Sequence, residues 1–360
     1  MVSVDEVLQT LSTVIDPDLK KDIVSMGMIK DLEINGNDLK FTLELTTPAC
    51  PFNEQIEQDV RQALSKILGV SKPDIKVTAK VMEGRALSMD EMLPTVKNII
   101  GVASGKGGVG KTTVSVNLAL ALANTGARVG ILDADIYGPS VPLMLGMGKA
   151  ALEVENNKLQ PAESHGLKVV SFGFFADQEH QAAIYRGPII SGILKQFLVE
   201  TNWSDLDYLI VDLPPGTGDI PLTLAQTIPV TGIVVVTTPQ EVASNVAVKA
   251  FGMFQKLNVP IIGVIENMSY FKCNNCSTDH YIFGKDGAKR MGEKHDLPFL
   301  GGIPLNPGIM ESSDSGRPVL VTDPNSPNAQ AFMIVAKNVA ARCSVIASQL
   351  SEEMTAEATT

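Results

Sequence analysis

A chain of 360 residues, 44% of them hydrophobic, can bury a large core and divide into two or three domains, and its formal charge of −11 argues against a general nucleic-acid binder, which needs a basic face. No apolar run approaches the roughly 18 residues that span a bilayer, and Met1-Val-Ser-Val-Asp-Glu6 lacks the segments of a signal peptide, so no membrane role is expected. Four cysteines are too sparse for a secreted disulfide framework, which points to a reducing cytoplasm.

Residues 3–14 read as a short helix built on Val4, Val7, Leu8 and Leu11. Leu32 and Ile34, then Leu39, Phe41, Leu43 and Leu45, alternate on either side of Asn35-Gly-Asn-Asp38, which predicts a hairpin. The spacing of Ile56, Val60, Leu64 and Ile67 predicts a helix over 53–68, and Ile75 and Val77 one more strand, so residues 1–82 form a small α+β domain. Cys50 falls between a strand end and a helix start, where a helix N-terminus can lower a thiol pKa. The other reading is a cysteine used as a small buried apolar residue. Residues 83–95 carry charges, Met and Pro94 without a period, as an exposed linker does.

The second domain is expected over 96–350, where short apolar runs alternate with helical patterns. The runs are Arg128–Leu132, Leu167–Ser171, Asp207–Val211, Thr231–Thr237 and Ile261–Ile265. Such alternation implies an α/β fold with a mostly parallel, doubly wound sheet whose ligands gather at the C-terminal strand ends. The last helix is expected from about Asn328 to Leu350, followed by a polar, acidic tail, 351–360, expected to be disordered.

Between an apolar run ending at Ser104 and a helical one starting at Val114 lies Gly105-Lys106-Gly107-Gly108-Val109-Gly110-Lys111-Thr112, a match to the phosphate loop G-x-x-x-x-G-K-[ST]. Glycines let backbone N–H groups close around a triphosphate; Lys111 reaches its β- and γ-phosphates, and Thr112 offers a hydroxyl to Mg²⁺. Two further strands run into carboxylates, Asp133-Ala-Asp135 and Asp212-Leu-Pro-Pro-Gly-Thr-Gly-Asp219. Asp212 is the expected Walker B aspartate for Mg²⁺, and Gly216 and Gly218 give the loop after it the freedom of a γ-phosphate sensor. Asp133 reads as structural. Cys273 and Cys276 form a C-x-x-C pair suited to metal or redox work.

Lys106, directly after the first glycine, resembles the deviant phosphate loop of the MinD/ParA/nitrogenase-iron-protein class of ATPases. That resemblance implies a homodimer closing on ATP, with Lys106 reaching the partner's nucleotide, Asp135 orienting the attacking water and Asn267, in Ile265-Glu-Asn-Met-Ser269, hydrogen-bonding the purine. D-A-D-I-Y-G-P-S, R-G-P (Arg186–Pro188), D-L-P-P-G-T-G-D, E-N-M-S followed by C-x-x-C, and Gly316-Arg-Pro-Val319 together resemble the Mrp/ApbC family of iron–sulfur cluster carrier ATPases. The first 80 residues are similar to the small iron–sulfur-assembly accessory domain, through Val14–Asp18, Val24–Met28 and Leu45–Pro51. The family implies an ATP-hydrolysing carrier that passes a cluster to apoproteins within the assembly machinery. A four-iron cluster usually takes four thiolates and each chain offers two in this loop, so the cluster is expected to bridge a dimer through Cys273 and Cys276 of both subunits. Two other readings stay open: a MinD/ParA-like spatial-organisation ATPase, and a structural zinc held by the cysteine pair with His280 nearby.

Overall fold

The computed structural model describes residues 3–35, 38–67, 73–84, 93–148, 150, 152–175, 187–218, 221, 229–273 and 275–358. The chain forms two compact units, Met1–Gly84 with Ala340–Thr360, and Arg85–Val339.

In the first unit, α1 (Val4–Leu11) begins at Ser3, whose hydroxyl accepts from the Glu6 amide at 3.2 Å, satisfying one of the amides a helix start leaves open. Strands β1 (Ile29–Asn35) and β2 (Asp38–Leu45) pair antiparallel; their turn residues 36 and 37 lie outside the described residues. Leu39, Phe41, Leu43 and Leu45 of β2 are all buried, as period-two alternation requires of one sheet face. The helix α2 (Asn53–Leu64) ends four residues short of the expected 68 and supplies the crossover to β3 (Asp74–Ala79), which pairs parallel with β2. Of the expected linker, residues 85–92 lie outside the described set.

The second unit runs β4 (Val96–Ser104), α3 (Lys111–Asn124), β5 (Val129–Asp133), α4 (Val141–Met144), β6 (Val154–Glu155), β7 (Lys158–Leu159), β8 (Ala162–Ser164), β9 (Leu167–Ser171), α5 (Gly187–Val199), β10 (Leu206–Asp212), β11 (Gly232–Thr237), α6 (Glu241–Lys256), β12 (Ile261–Glu266), β13 (Phe271–Lys272), β14 (Asp279–His280), α7 (Gly287–His295), β15 (Phe299–Gly302), α8 (Pro307–Asp314) and α9 (Val319–Thr322). The main sheet has the order β15-β12-β11-β4-β10-β5-β9-β8, parallel throughout except for β8. Every residue of β5, β10 and β11 is buried, the mark of strands covered on both faces. Because β4 lies between β10 and β11, later strands fan out on both sides of it, and a crevice opens at its C-terminal end.

The last helix, α10 (Pro327–Ala358), corrects three expectations. Ser351–Ala358 is helical rather than disordered, and the first unit takes in residues 340–350, which had been placed with the second domain. Within the first unit the Lys21 ammonium donates to the Glu352 carboxylate and, at 3.0 Å, to Ser348 Oγ, contacts between distant residues that a local reading of polar composition cannot see. The span Pro327–Glu353 is also long and apolar enough, by length and composition, to cross a membrane, contrary to the expectation that no stretch reaches that size. Of its most apolar window 61% is buried in the protein, as in a core helix.

Candidate nucleotide site and cysteine ribbon

Strand β4 ends at Ser104 and the chain turns back into α3 through residues 105–110. Gly105 is pressed against α6: a Cβ there would lie 2.6 Å from the Val246 carbonyl carbon. Gly110 has φ +77°, a conformation L side chains rarely adopt, and a Cβ there would collide with Asn267 Nδ2. The loop borders a cavity of about 230 Å³ lined by Lys106, Gly108, Lys111, Thr112, Asp135 and Pro215. Lys106 is exposed at its mouth, and Val109 is buried behind the loop.

The cavity floor is an ion-pair network. Lys111, only 6% exposed, places Nζ 2.8 Å from Asp212 Oδ1 and 3.6 Å from Asp135 Oδ2. Thr112 Oγ1 donates to Asp212 Oδ2 at 2.7 Å, and Ser115 Oγ to Asp212 Oδ1 at 2.6 Å. A fully buried carboxylate needs such partners, because desolvation of an isolated one costs several kcal/mol or more. The sequence reading missed Ser115; it lies four residues after Lys111 on the same helix face, the spacing that could have found it. Thr112 and Asp212 offer adjacent hard oxygens, the donor chemistry that fits Mg²⁺ beside phosphates.

Asp133 and Asp212 are register partners on neighbouring strands. Burial, then the charge of Asp212, pushes Asp133 up to about 7. It accepts from the Asp135 and Val141 amides, each at 3.2 Å, and from Ser171 Oγ at 2.9 Å, so it shapes the turn that carries Asp135. Asp135 is raised above the ordinary carboxylate range by burial, with Lys111 opposing. After Asp212 the chain returns to the loop, the Gly216 amide donating to Ser104 O at 2.9 Å. Asp219 and Arg186 lie outside the described residues.

Asn267 follows β12. Its Nδ2 donates to Val109 O at 2.8 Å and its Oδ1 accepts from the Met268 amide at 3.0 Å, so the side chain braces the back of the phosphate loop. Beyond it, β13 and β14 form a two-stranded ribbon, with Phe271 opposite His280. The Cys273 amide donates to Thr278 O at 3.0 Å and the Ser277 amide to Cys273 O at 2.9 Å, closing a tight turn at its tip. The ligand atoms of Cys273, Cys276 and His280 all lie within 4.8 Å of one another. Hydrogen bonds from the Thr278 side chain and backbone, with help from Cys273, bring the exposed Cys276 thiol down to about 7. Cys50 behaves oppositely: it is buried, and burial pushes its thiol up to about 12, so the helix start at Asn53 does not activate it.

Residues 95–340 match the family described as NUBPL iron-transfer P-loop NTPase, and residues 4–77 match a family described as iron-sulfur cluster assembly protein. An iron-sulfur cluster carrier protein of Synechocystis is 47% identical over 96% of this chain and 99% of its own. Among solved structures, a nucleotide-binding protein from Archaeoglobus fulgidus in complex with ADP, with Co found by PIXE, is 39% identical, with a TM-score of 0.59 over 68% of this chain and 95% of that one. The septum site-determining protein MinD of Pyrococcus horikoshii, complexed with Mg-ADP, is 24% identical with a TM-score of 0.51 over 67% of this chain and 95% of its own, a likeness of fold alone.

Proposed function

The chain belongs to the NUBPL-type iron-transfer P-loop NTPases, and from that membership we propose that it is an ATP-hydrolysing iron–sulfur cluster carrier. ATP occupies the loop 105–112, with Lys111 on the β- and γ-phosphates and Mg²⁺ held at Thr112 and Asp212. Asp135 orients the attacking water, and Lys106 acts on the nucleotide of a second subunit. In this proposal Asn267 contacts the purine with the amide hydrogen that Val109 leaves over. Cys273 and Cys276 of two subunits together hold a four-iron cluster, which is passed to apoproteins. All four cysteines are free, in keeping with a reducing cytoplasm.

The observation that carries the reading is the short path from nucleotide to thiol. Six residues after Asn267, which braces the phosphate loop, the chain reaches Cys273, and the cysteine pair is accessible at a ribbon tip rather than sealed in a core. An accessible cluster suits transfer better than storage. The test is anaerobic reconstitution with iron and sulfide, followed by iron count and oligomeric state for the wild type, Cys273→Ala and Cys276→Ala. One four-iron cluster per dimer, lost in both variants, is expected. A full cluster retained by either variant would refute the bridging site.

A further inference from the structure

The ribbon brings a third donor to the cysteine pair. Side chains two apart on a strand share a face, and so do those directly across a ladder. Phe271 and Cys273 are therefore on one face, and His280, paired with Phe271, falls on that same face, diagonal to Cys273. The turn fixed by the Cys273–Thr278 and Ser277–Cys273 backbone bonds folds Cys276 back toward both, which is how the three ligand atoms come within 4.8 Å. Tetrahedral ligands around a metal with bonds of about 2.0–2.3 Å stand roughly 3.5–3.8 Å apart, so closure needs side-chain rotation of about 1 Å rather than refolding. Asp279 alternates to the other face, and among the described residues no fourth His, Cys, Asp or Glu joins the group.

We infer that Cys273, Cys276 and His280 of a single chain bind one divalent transition cation, with the fourth coordination position open to water or an incoming thiolate. Two thiolates and an imidazole select borderline and soft ions such as Zn²⁺ or Fe²⁺ over Mg²⁺. Three protein ligands with one exchangeable position is the arrangement of sites that trade ligands rather than seal a metal in. The inference does not rest on the bridging cluster. A mononuclear site needs one chain only, and it stands or falls separately from cluster binding by two.

The test uses Co²⁺ as the probe, titrated anaerobically into the full-length reduced protein without nucleotide, iron or sulfide. Thiolate-to-cobalt charge transfer and ligand-field absorption report the donors, metal analysis the stoichiometry, and sedimentation the oligomeric state. One Co²⁺ per chain, a tetrahedral spectrum and an unchanged oligomeric state are expected. His280→Ala should shift the ligand-field bands and weaken binding by at least about tenfold, the lower end of what even an outer partner of a metal ligand contributes. His280→Cys, which restores a soft third donor, should recover the affinity with a more sulfur-rich spectrum. Saturation at one Co²⁺ per two chains with induced dimerisation would overturn the single-chain site. So would a His280→Ala spectrum and affinity identical to wild type, with circular dichroism confirming an intact fold in both cases.

Discussion

Asn267 Nδ2 lies 2.8 Å from the carbonyl of Val109, a hydrogen bond between a strand end and the phosphate loop 158 residues away in the chain. Asn267→Ala leaves that carbonyl buried without its partner, at a cost of about 1–3 kcal/mol. Gly110→Ala adds strain of about 1–2 kcal/mol at positive φ, and on top of it a collision with the Asn267 amide. In the double variant the collision is gone, so its destabilisation in urea should be clearly smaller than the sum of the single effects. Additive losses would mean that the two side chains do not meet.

Lys111→Ala should abolish ATP hydrolysis and also destabilise the empty protein. It strips the cation from Asp212 and Asp135 and leaves buried carboxylates uncompensated, an effect of about 3 kcal/mol or more. Urea denaturation without nucleotide measures the second effect independently of the first. A variant as stable as wild type would contradict the buried pairing.

Lys106→Ala should separate from it. The side chain is exposed, so stability should stay within about 0.5 kcal/mol of wild type, and nucleotide binding should persist while hydrolysis falls. Turnover measured against protein concentration checks the dimer role. Wild-type activity per chain that is independent of concentration down to the monomer would exclude a cross-subunit lysine.

Asp207 supplies a pH signature. Burial opposes its charge, but hydrogen bonds from Arg128 and from Lys97, the latter at 2.7 Å, outweigh it and hold the carboxyl below its ordinary range. A carboxylate depressed on folding stabilises the protein above its unfolded pKa, and that contribution is lost as pH falls through the folded value. Asp207→Asn should therefore cost roughly 2 kcal/mol at pH 7, with the gap to wild type closing below about pH 4. A gap that stays constant down to pH 3 would show that the charge is not what matters.

Thiol chemistry should rank the cysteines. Brief treatment with iodoacetamide at neutral pH should label Cys276 first, since it is exposed and lowered to about 7. Cys50 and Cys343, buried and each pushed up to about 12, should react only after unfolding. Peptide mass spectrometry gives the order, and native labelling of Cys50 at a comparable rate would reverse the assignment of the reactive site to the ribbon.

The phosphate loop was legible because its chemistry is contiguous: eight residues between a strand and a helix carry the glycines, Lys111 and Thr112. Asp212 could be read from its place at the end of an apolar run. What stayed hidden depends on pairing across the chain. Ser115 reaches Asp212 only because α3 packs on the sheet, and although His280 can be named beside the cysteines from the sequence, its place diagonal to Cys273 comes only from the register that sets it opposite Phe271. The last turns of α10 were misread for the same reason, since acidic composition alone does not reveal that Lys21 waits for Glu352.

Between Glu266 and Cys273 the chain is pinned almost residue by residue. The Asn267 amide donates to Thr237 O, the Ser269 amide to Ile303 O, the Leu305 amide to Tyr270 O and the Cys273 amide to Thr278 O, all between 2.7 and 3.0 Å. A strap fastened this often behaves as a gear tooth of fixed phase. Adding one residue after Tyr270 would leave the loop 105–112 and the C-x-x-C spacing untouched, yet it would turn the following side chains to the opposite face of the ribbon. Such an insertion mutant should bind nucleotide normally while Cys273, Cys276 and His280 no longer converge, which the loss of Co²⁺ binding would report. The identity of the side chains between Asn267 and Cys273 matters less than their number, which has to stay fixed if the cysteine pair is to keep its facing relative to the phosphate loop.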